Sequence, residues 1–314
     1  MVGAMGPALL IVVGLGVAIW ASRVVVDRAS ALVAGTSISP FLVGLVLLAL
    51  GTDLPEIANS IASSMSGHGD INVGDSIGSA VTQSTLVLAL LPLVGGAMAL
   101  ERRDVLGVGF ATVALLVIGA VLLADGRLDR VDGALLVGLW GVSSVVVWRI
   151  APPLQLPLPM DTRRRRGRGL TFLEAVGGLT VVGGGAYVAI LGFVRLSETL
   201  GLSEYVVSFF LASIGTSLPE LVVDATALRR GEQEMAVGGL LGASMLDASV
   251  SIGSGPLVAP TDVTAGLAVR GSILGAVAIL LVTLLLGRRR LHDWKTAIAL
   301  LAVYAVFFPV LLWG

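Results

Sequence analysis

Gly51-Thr52-Asp53-Leu54-Pro55-Glu56 returns later in the chain as Gly215-Thr216-Ser217-Leu218-Pro219-Glu220, each time inside a long apolar run. An apolar run of about 20 residues is the length that crosses a bilayer as a helix, so both copies put a carboxylate at membrane depth. An ionisable group there is costly and marks a functional site by default. The proline sharpens the reading. It has no N–H, so a carbonyl one turn back loses its helical partner, and its ring clashes with that carbonyl. With a glycine four residues earlier, the hexapeptide predicts a broken helix whose freed carbonyls can face an ion.

The rest of the chain agrees with a membrane setting. Its mean hydropathy is +0.97, with 56% hydrophobic and only 13% charged residues, far from the composition of soluble domains. There is no cysteine, and His68 and His292 are the only histidines. That excludes disulfides, thiolate sites and histidine-rich metal sites, and leaves oxygen ligands, which suit Ca²⁺, Mg²⁺, Mn²⁺ and Na⁺. The first apolar segment, Pro7 to Ala21, has no charged stretch before it and no small-residue cleavage site after it, and reads as a retained span.

Apolar runs set against charged or Pro/Gly breaks predict ten spans, near 5–22, 40–65, 72–98, 105–124, 132–150, 170–195, 204–227, 236–260, 268–287 and 294–313. The second, third, seventh and eighth are rich in Gly, Ser, Thr and carboxylates. One linker, 151–169, carries four prolines and the run Arg163-Arg164-Arg165-Arg166-Gly167-Arg168. It divides the chain into halves, 1–150 and 170–314. A nucleic-acid patch is the weaker reading of that run; a cytoplasmic loop is the stronger, because loops on the linker's side hold most of the arginines while the opposite loops keep Arg127, Arg130, Arg195 and Arg270. This places both termini outside, in a prokaryotic plasma membrane by expectation, with the lipid bilayer and no nucleic acid as partner. Oligomeric state has no signature in the sequence.

Placing residue n beside n+164 aligns, without a gap, Leu47 with Leu211, Gly51 with Gly215, Glu56 with Glu220, Val73-Gly74 with Val237-Gly238, Gly78 with Gly242 and Pro92 with Pro256. Five spans per half is an odd number, so the second half enters from the opposite face. The expected fold is an all-α polytopic membrane protein of ten transmembrane helices, arranged as two inverted five-helix repeats with broken helices at the midplane, where such folds place their substrate. Four segments converge there, bringing Thr52, Asp53, Glu56, Ser79, Gln83, Thr216, Ser217, Glu220 and Asp247 as candidate oxygen ligands. The offset pairs Glu56 with Glu220 and Gln83 with Asp247. A divalent cation taking six or more oxygens suits such a ring.

These motifs resemble the signatures of the cation/Ca²⁺ exchanger superfamily, close to the prokaryotic Na⁺/Ca²⁺ exchangers: GTSLPE followed by GSN-x-x-N in one half and GSN-x-x-D in the other. Here they stand as Gly51 to Glu56 with Gly78-Ser79-Ala80-Val81-Thr82-Gln83, and Gly215 to Glu220 with Gly242-Ala243-Ser244-Met245-Leu246-Asp247. The resemblance implies that Glu56 and Glu220 are central Ca²⁺ ligands, that Thr52 and Thr216 add oxygens, and that Gln83 and Asp247 complete the ring. It implies a secondary antiporter, no enzyme, without a cofactor, exchanging Ca²⁺ against Na⁺ by alternating access. The departures open an alternative. Asp53 stands for a family Ser, Gln83 is longer than the family Asn, Ala80 and Ser244 replace Asn, and Ala243 lacks a hydroxyl that would serve one Na⁺ site. An added carboxylate with a lost hydroxyl leaves H⁺ coupling, or selectivity for Mg²⁺ or Mn²⁺, as the second reading. A cation channel and an intramembrane aspartyl enzyme using Asp53 and Asp247 are further rivals.

Among the remaining acids, Asp224 reads equally as a carboxylate behind the ring or an interfacial charge. Asp70 and Asp75 read as mouth or interfacial charges, Glu174 as interfacial, and Arg195 as the outer end of the sixth span.

Overall fold

The computed structural model describes residues 2–33, 39–150, 168–199, 213–289 and 291–313. The linker lies outside these, except Arg168 and Gly169, and so does the first part of the expected seventh span, 204–212. Almost everything described is helix: α1 (Val2–Val33), α2 (Pro40–Thr52), α3 (Leu54–Met65), α4 (Gly69–Gly95), α5 (Arg102–Leu122), α6 (Arg130–Ile150), α7 (Arg168–Thr199), α8 (Ser213–Thr216), α9 (Leu218–Arg229), α10 (Gln233–Val258), α11 (Ala265–Arg288) and α12 (Trp294–Trp313). Among the described residues six helices are long and apolar enough to cross a membrane, and α2 with α3 makes a seventh, broken span, bent by 44°.

The first helix runs well beyond the expected 5–22. Its buried stripe continues through Val25, Val26 and Ala29, so packing extends the helix past the apolar run. Its partner is α7, and the seam is built on small residues. Gly178 packs against Val25, Gly185 against Gly14 and Ala18, and Gly192 against Pro7 and Ile11. As the number rises on one helix it falls on the other, so the two run antiparallel. Backbones this close are the usual way helices associate in lipid, where apolar surface gains nothing from pairing. A larger side chain at the seam must push the helices apart. Gly185→Leu is expected to destabilise the protein by about 1–3 kcal/mol, seen as a lower melting temperature in detergent, whereas Gly184→Ala, with open space beside its Cβ position, leaves it unchanged.

Two short antiparallel strand pairs, which the sequence pattern does not foretell, tie the loops together. β1 (Met98–Ala99) pairs with β4 (Leu291–His292), and β2 (Arg127–Leu128) with β3 (Thr261–Asp262). α11 has 24 residues, about 36 Å of helix, and lies between β3 and β4. The pairs therefore mark opposite ends of the molecule. At the β2–β3 end, Asp70 accepts hydrogen bonds from the backbone N–H and the hydroxyl of Thr264, both 2.6 Å. At the β1–β4 end, His292 reaches the Leu88 carbonyl through Nε2 at 2.8 Å. A carbonyl only accepts, so Nε2 carries the hydrogen, and Nδ1 meets the Thr296 hydroxyl at 2.6 Å. Burial holds this imidazole below its usual pKa.

Candidate cation site

The two hexapeptides fold alike. Asp53 closes α2 with φ −79°, ψ 7°, and α3 starts at Leu54 with Pro55 in its first turn. Ser217 does the same between α8 and α9 with φ −79°, ψ 4°, ahead of Pro219. Proline fits a helix's first turn because its missing N–H is unneeded there, and the same absence deprives the Gly51 and Gly215 carbonyls of a donor four residues on. Each break thus brings the carbonyl end of one helix against the amide end of the next, and sets Glu56 and Glu220 in the first turn of α3 and α9, where an N-terminal dipole suits a carboxylate.

The other two segments come from α4 and α10. Both are α-helical for 14 residues and then switch to a five-residue π stretch, 83–87 in one and 247–251 in the other. Gln83 and Asp247 are the first residues of those stretches. A π-bulge adds a residue to the turn and is frequent at functional sites; here it falls at the two positions that sequence pairing assigns to the ring. Neither bulge leaves a mark in composition or periodicity.

All nine candidate residues are buried. Carboxylate oxygens of Asp53, Glu56 and Asp247 come within 4.8 Å of one another, and Glu220 is near enough to interact electrostatically with each of the three. Asp53, the departure from the family motif, therefore stands inside the cluster. Among the described residues neither carboxylate oxygen of Asp53, Glu56 or Glu220 makes a well-formed hydrogen bond, nor does either amide atom of Gln83, Asp247 Oδ2 or Ser217 Oγ; Glu220 has Asp53 and the Thr52 hydroxyl close by, and Gln83 lies beside Asp247. Buried polar atoms in folded proteins are nearly always satisfied. So many orphans converging on one point, most of them acceptors, are what a cation with several oxygen ligands would satisfy.

The hydroxyls divide. Ser79 Oγ meets Thr216 Oγ1 at 3.1 Å and so joins the two halves, whereas the Thr52 hydroxyl donates back to Leu48 O at 3.0 Å. With Ala243 at the repeat position of Ser79, Thr52 lacks the cross-half partner hydroxyl that its counterpart Thr216 finds in Ser79. Sequence reasoning missed two supporting contacts. Ser251 Oγ donates to Asp247 Oδ1 at 2.9 Å, legible only as a serine one turn on. Ser84 donates to Ser244 at 2.9 Å, giving the residue that replaces a family Asn a packing role between α4 and α10.

One expectation is corrected. Asp75 is no mouth charge: it is buried, with Asn59 Nδ2 donating to its Oδ2 at 2.6 Å. The polar face of α3 covers it, which a start-of-span position does not reveal. Asp224, left open by sequence, is buried against Gly239. Asp70 is exposed at the β2–β3 end, and Glu174 pairs with Arg28 at 2.6 Å.

The profile of the family described as sodium/calcium exchanger protein matches residues 6–149 and 171–313. CaxA of Alkalimonas amylolytica is 29% identical over 94% of this chain and 95% of its own length. The sodium/calcium exchanger MaX1 of Methanosarcina acetivorans is 24% identical over 96% and 97%. Among solved structures, the sodium-calcium exchanger NCX_Mj, soaked with Na⁺ and Sr²⁺, superposes with a TM-score of 0.77 over 98% of both chains at 22% identity; at that identity the likeness is one of fold.

Proposed function

The chain belongs to the sodium/calcium exchanger protein family, a family of membrane cation exchangers, and from that premise we propose that it is a secondary antiporter that moves Ca²⁺ against Na⁺ by alternating access at the buried carboxylate cluster. The ions are cargo, and exchange of this kind calls for no resident cofactor. The observation that carries the reading is the convergence of Asp53, Glu56 and Asp247, with Glu220 beside them, on a point where, among the described residues, every one of their carboxylate oxygens except Asp247 Oδ1 makes no well-formed hydrogen bond to protein. In this reading Glu56, Glu220, Asp53 and Asp247 supply charge, while Gln83, Thr52, Thr216, Ser79 and Ser217 supply neutral oxygen.

The ten-span, inverted-repeat arrangement with both termini outside belongs to the same proposal, with 1–150 and 170–314 as its halves. Three features support it. Elements recur at the offset of 164: α3 and α9 have 12 residues each, and the π stretches begin at 83 and 247. The helices that open the two halves, α1 and α7, pack antiparallel, as opposite insertion requires. Among the described residues the loop contacts β1 with β4, β2 with β3, Asp70 with Thr264 and Asp27 with Arg230 each join loops that this topology puts on the same face.

Asp53 gives weight to one variation, in which a proton replaces part of the Na⁺ complement. Purified protein in liposomes decides among these readings. Ca²⁺ uptake is expected to require an opposing Na⁺ or H⁺ gradient, to saturate, and to stop when the gradient is collapsed. Uptake that runs down the Ca²⁺ gradient alone, without saturation, would identify a channel.

A further inference from the structure

Two buried carboxylates stand apart from the cluster. Asp75 and Asp224 are only 6% and 2% exposed, and each has one oxygen, Asp75 Oδ1 and Asp224 Oδ2, with no well-formed hydrogen bond among the described residues. Asp75 lies two turns before Gln83 on α4, toward the β2–β3 end, with Asn59 of α3 holding its other oxygen. It interacts electrostatically with Glu56 and Asp247. Asp224 lies one turn beyond Glu220 on α9, toward the end where Arg230 meets Asp27, and interacts with Glu220. The two acids thus flank the cluster on opposite sides.

They are not repeat partners. The offset of 164 sets Asp75 beside Gly239, and Ser60 beside Asp224. Even so, each half keeps one acid between the same two helices. In the first half α4 carries it and α3 grips it through Asn59. In the second half α9 carries it, and its Oδ1 occupies the space beside Gly239 that a side chain on α10 would need. The carboxylate has changed helix while keeping its place between them. A purely structural acid would have both oxygens satisfied; Asp224 leaves one unmet, and Asp75 has as its further neighbour the hydroxyl of Thr216, itself a candidate ligand.

We propose that Asp75 and Asp224 are relay sites for the transported divalent cation, one between the cluster and each face of the membrane. This rests on the exchange reading above. One or two helical turns is about 6–12 Å, too far to join a coordination sphere of 2.3–2.6 Å and near enough to raise the local cation concentration along the path. Low-dielectric clefts lined by charge of one sign do this by a factor of 10 or more, and here each acid adds its charge to that of the cluster.

The test uses full-length protein reconstituted in one orientation, with Ca²⁺ as the probe and half-saturation measured separately from each face. Asp75→Asn and Asp224→Asn are each expected to raise the half-saturating Ca²⁺ concentration about tenfold from one face only, the faces being opposite for the two variants. Equilibrium Ca²⁺ affinity in detergent falls by less than this one-sided shift, because neither acid joins the coordination sphere. Asp224→Glu, which keeps the charge, restores one-sided saturation toward the parent value and guards against a folding defect in the Asn variant. Equal shifts from both faces, no shift from either, or loss of equilibrium binding would overturn the proposal. Undiminished transport by a Glu56→Gln protein would instead strike at the cluster, the reading on which this proposal rests.

Discussion

Glu56→Gln and Glu220→Gln are each expected to weaken binding of a divalent cation by about 10- to 100-fold and to abolish measurable exchange, while the protein stays folded. The substitution preserves side-chain volume and removes one charge. A charged ligand contributes about 1.5–3 kcal/mol, and each ~1.4 kcal/mol is a factor of ten. The fold survives because the oxygens concerned make no well-formed hydrogen bond among the described residues. It should even gain without Ca²⁺, since two unit charges ~5 Å apart at an effective dielectric constant of ~20 repel by about 3 kcal/mol. The double signature is a higher melting temperature without divalent cation and a lost Ca²⁺-dependent rise in melting temperature. Near-parental flux in either variant would remove these residues from the site.

Asp53→Ser should change what the protein exchanges. Four carboxylates against a divalent ion leave two negative charges uncompensated in a buried setting, and at the distances found here that excess is costly. With no hydroxyl at Ala243 to complete a Na⁺ shell, a proton shared among the acids is the simplest neutraliser. On the variation in which a proton replaces part of the Na⁺ complement, the parent is expected to lose Ca²⁺ exchange steeply as pH falls and to depend less on Na⁺. Removing the fourth carboxylate removes the need for that proton, so the variant's exchange should vary less with pH and more with Na⁺. Flux measured against pH and Na⁺ for both proteins decides; superimposable profiles would show that Asp53 does not take part.

The hexapeptides made the site legible because their chemistry is local. A proline breaks a helix wherever it stands in mid-span, and a carboxylate beside it at membrane depth has few other uses. The repeat offset then supplied Gln83 and Asp247 as partners without any structural knowledge. What stayed hidden depends on neighbours distant in sequence. Asp75 looks interfacial until Asn59, on the preceding helix, is seen to hold it. The π stretches need only one extra residue in a turn, too little to disturb an apolar pattern. The strand pairs are two residues long, below any period that alternation could show. The extra length of α1 follows from its contact with α7, which is remote in the chain.

Those strand pairs also bear on how the protein is made. Met98 finds His292, and Leu128 finds Thr261, so the loops of the first half wait through roughly 130 to 190 further residues for their partners, a long closure by the standards that set folding speed. During synthesis at about 5–20 residues per second, the early spans enter the bilayer with their connecting strands open and with Gly133 of α6 still lacking the α10 backbone it packs against. Closure of the first-half loops therefore waits on late-made segments: pairing of Leu291–His292 with Met98–Ala99 is the later of the two clasps, and a nascent chain stalled before it holds a carboxylate cluster inside a scaffold not yet closed.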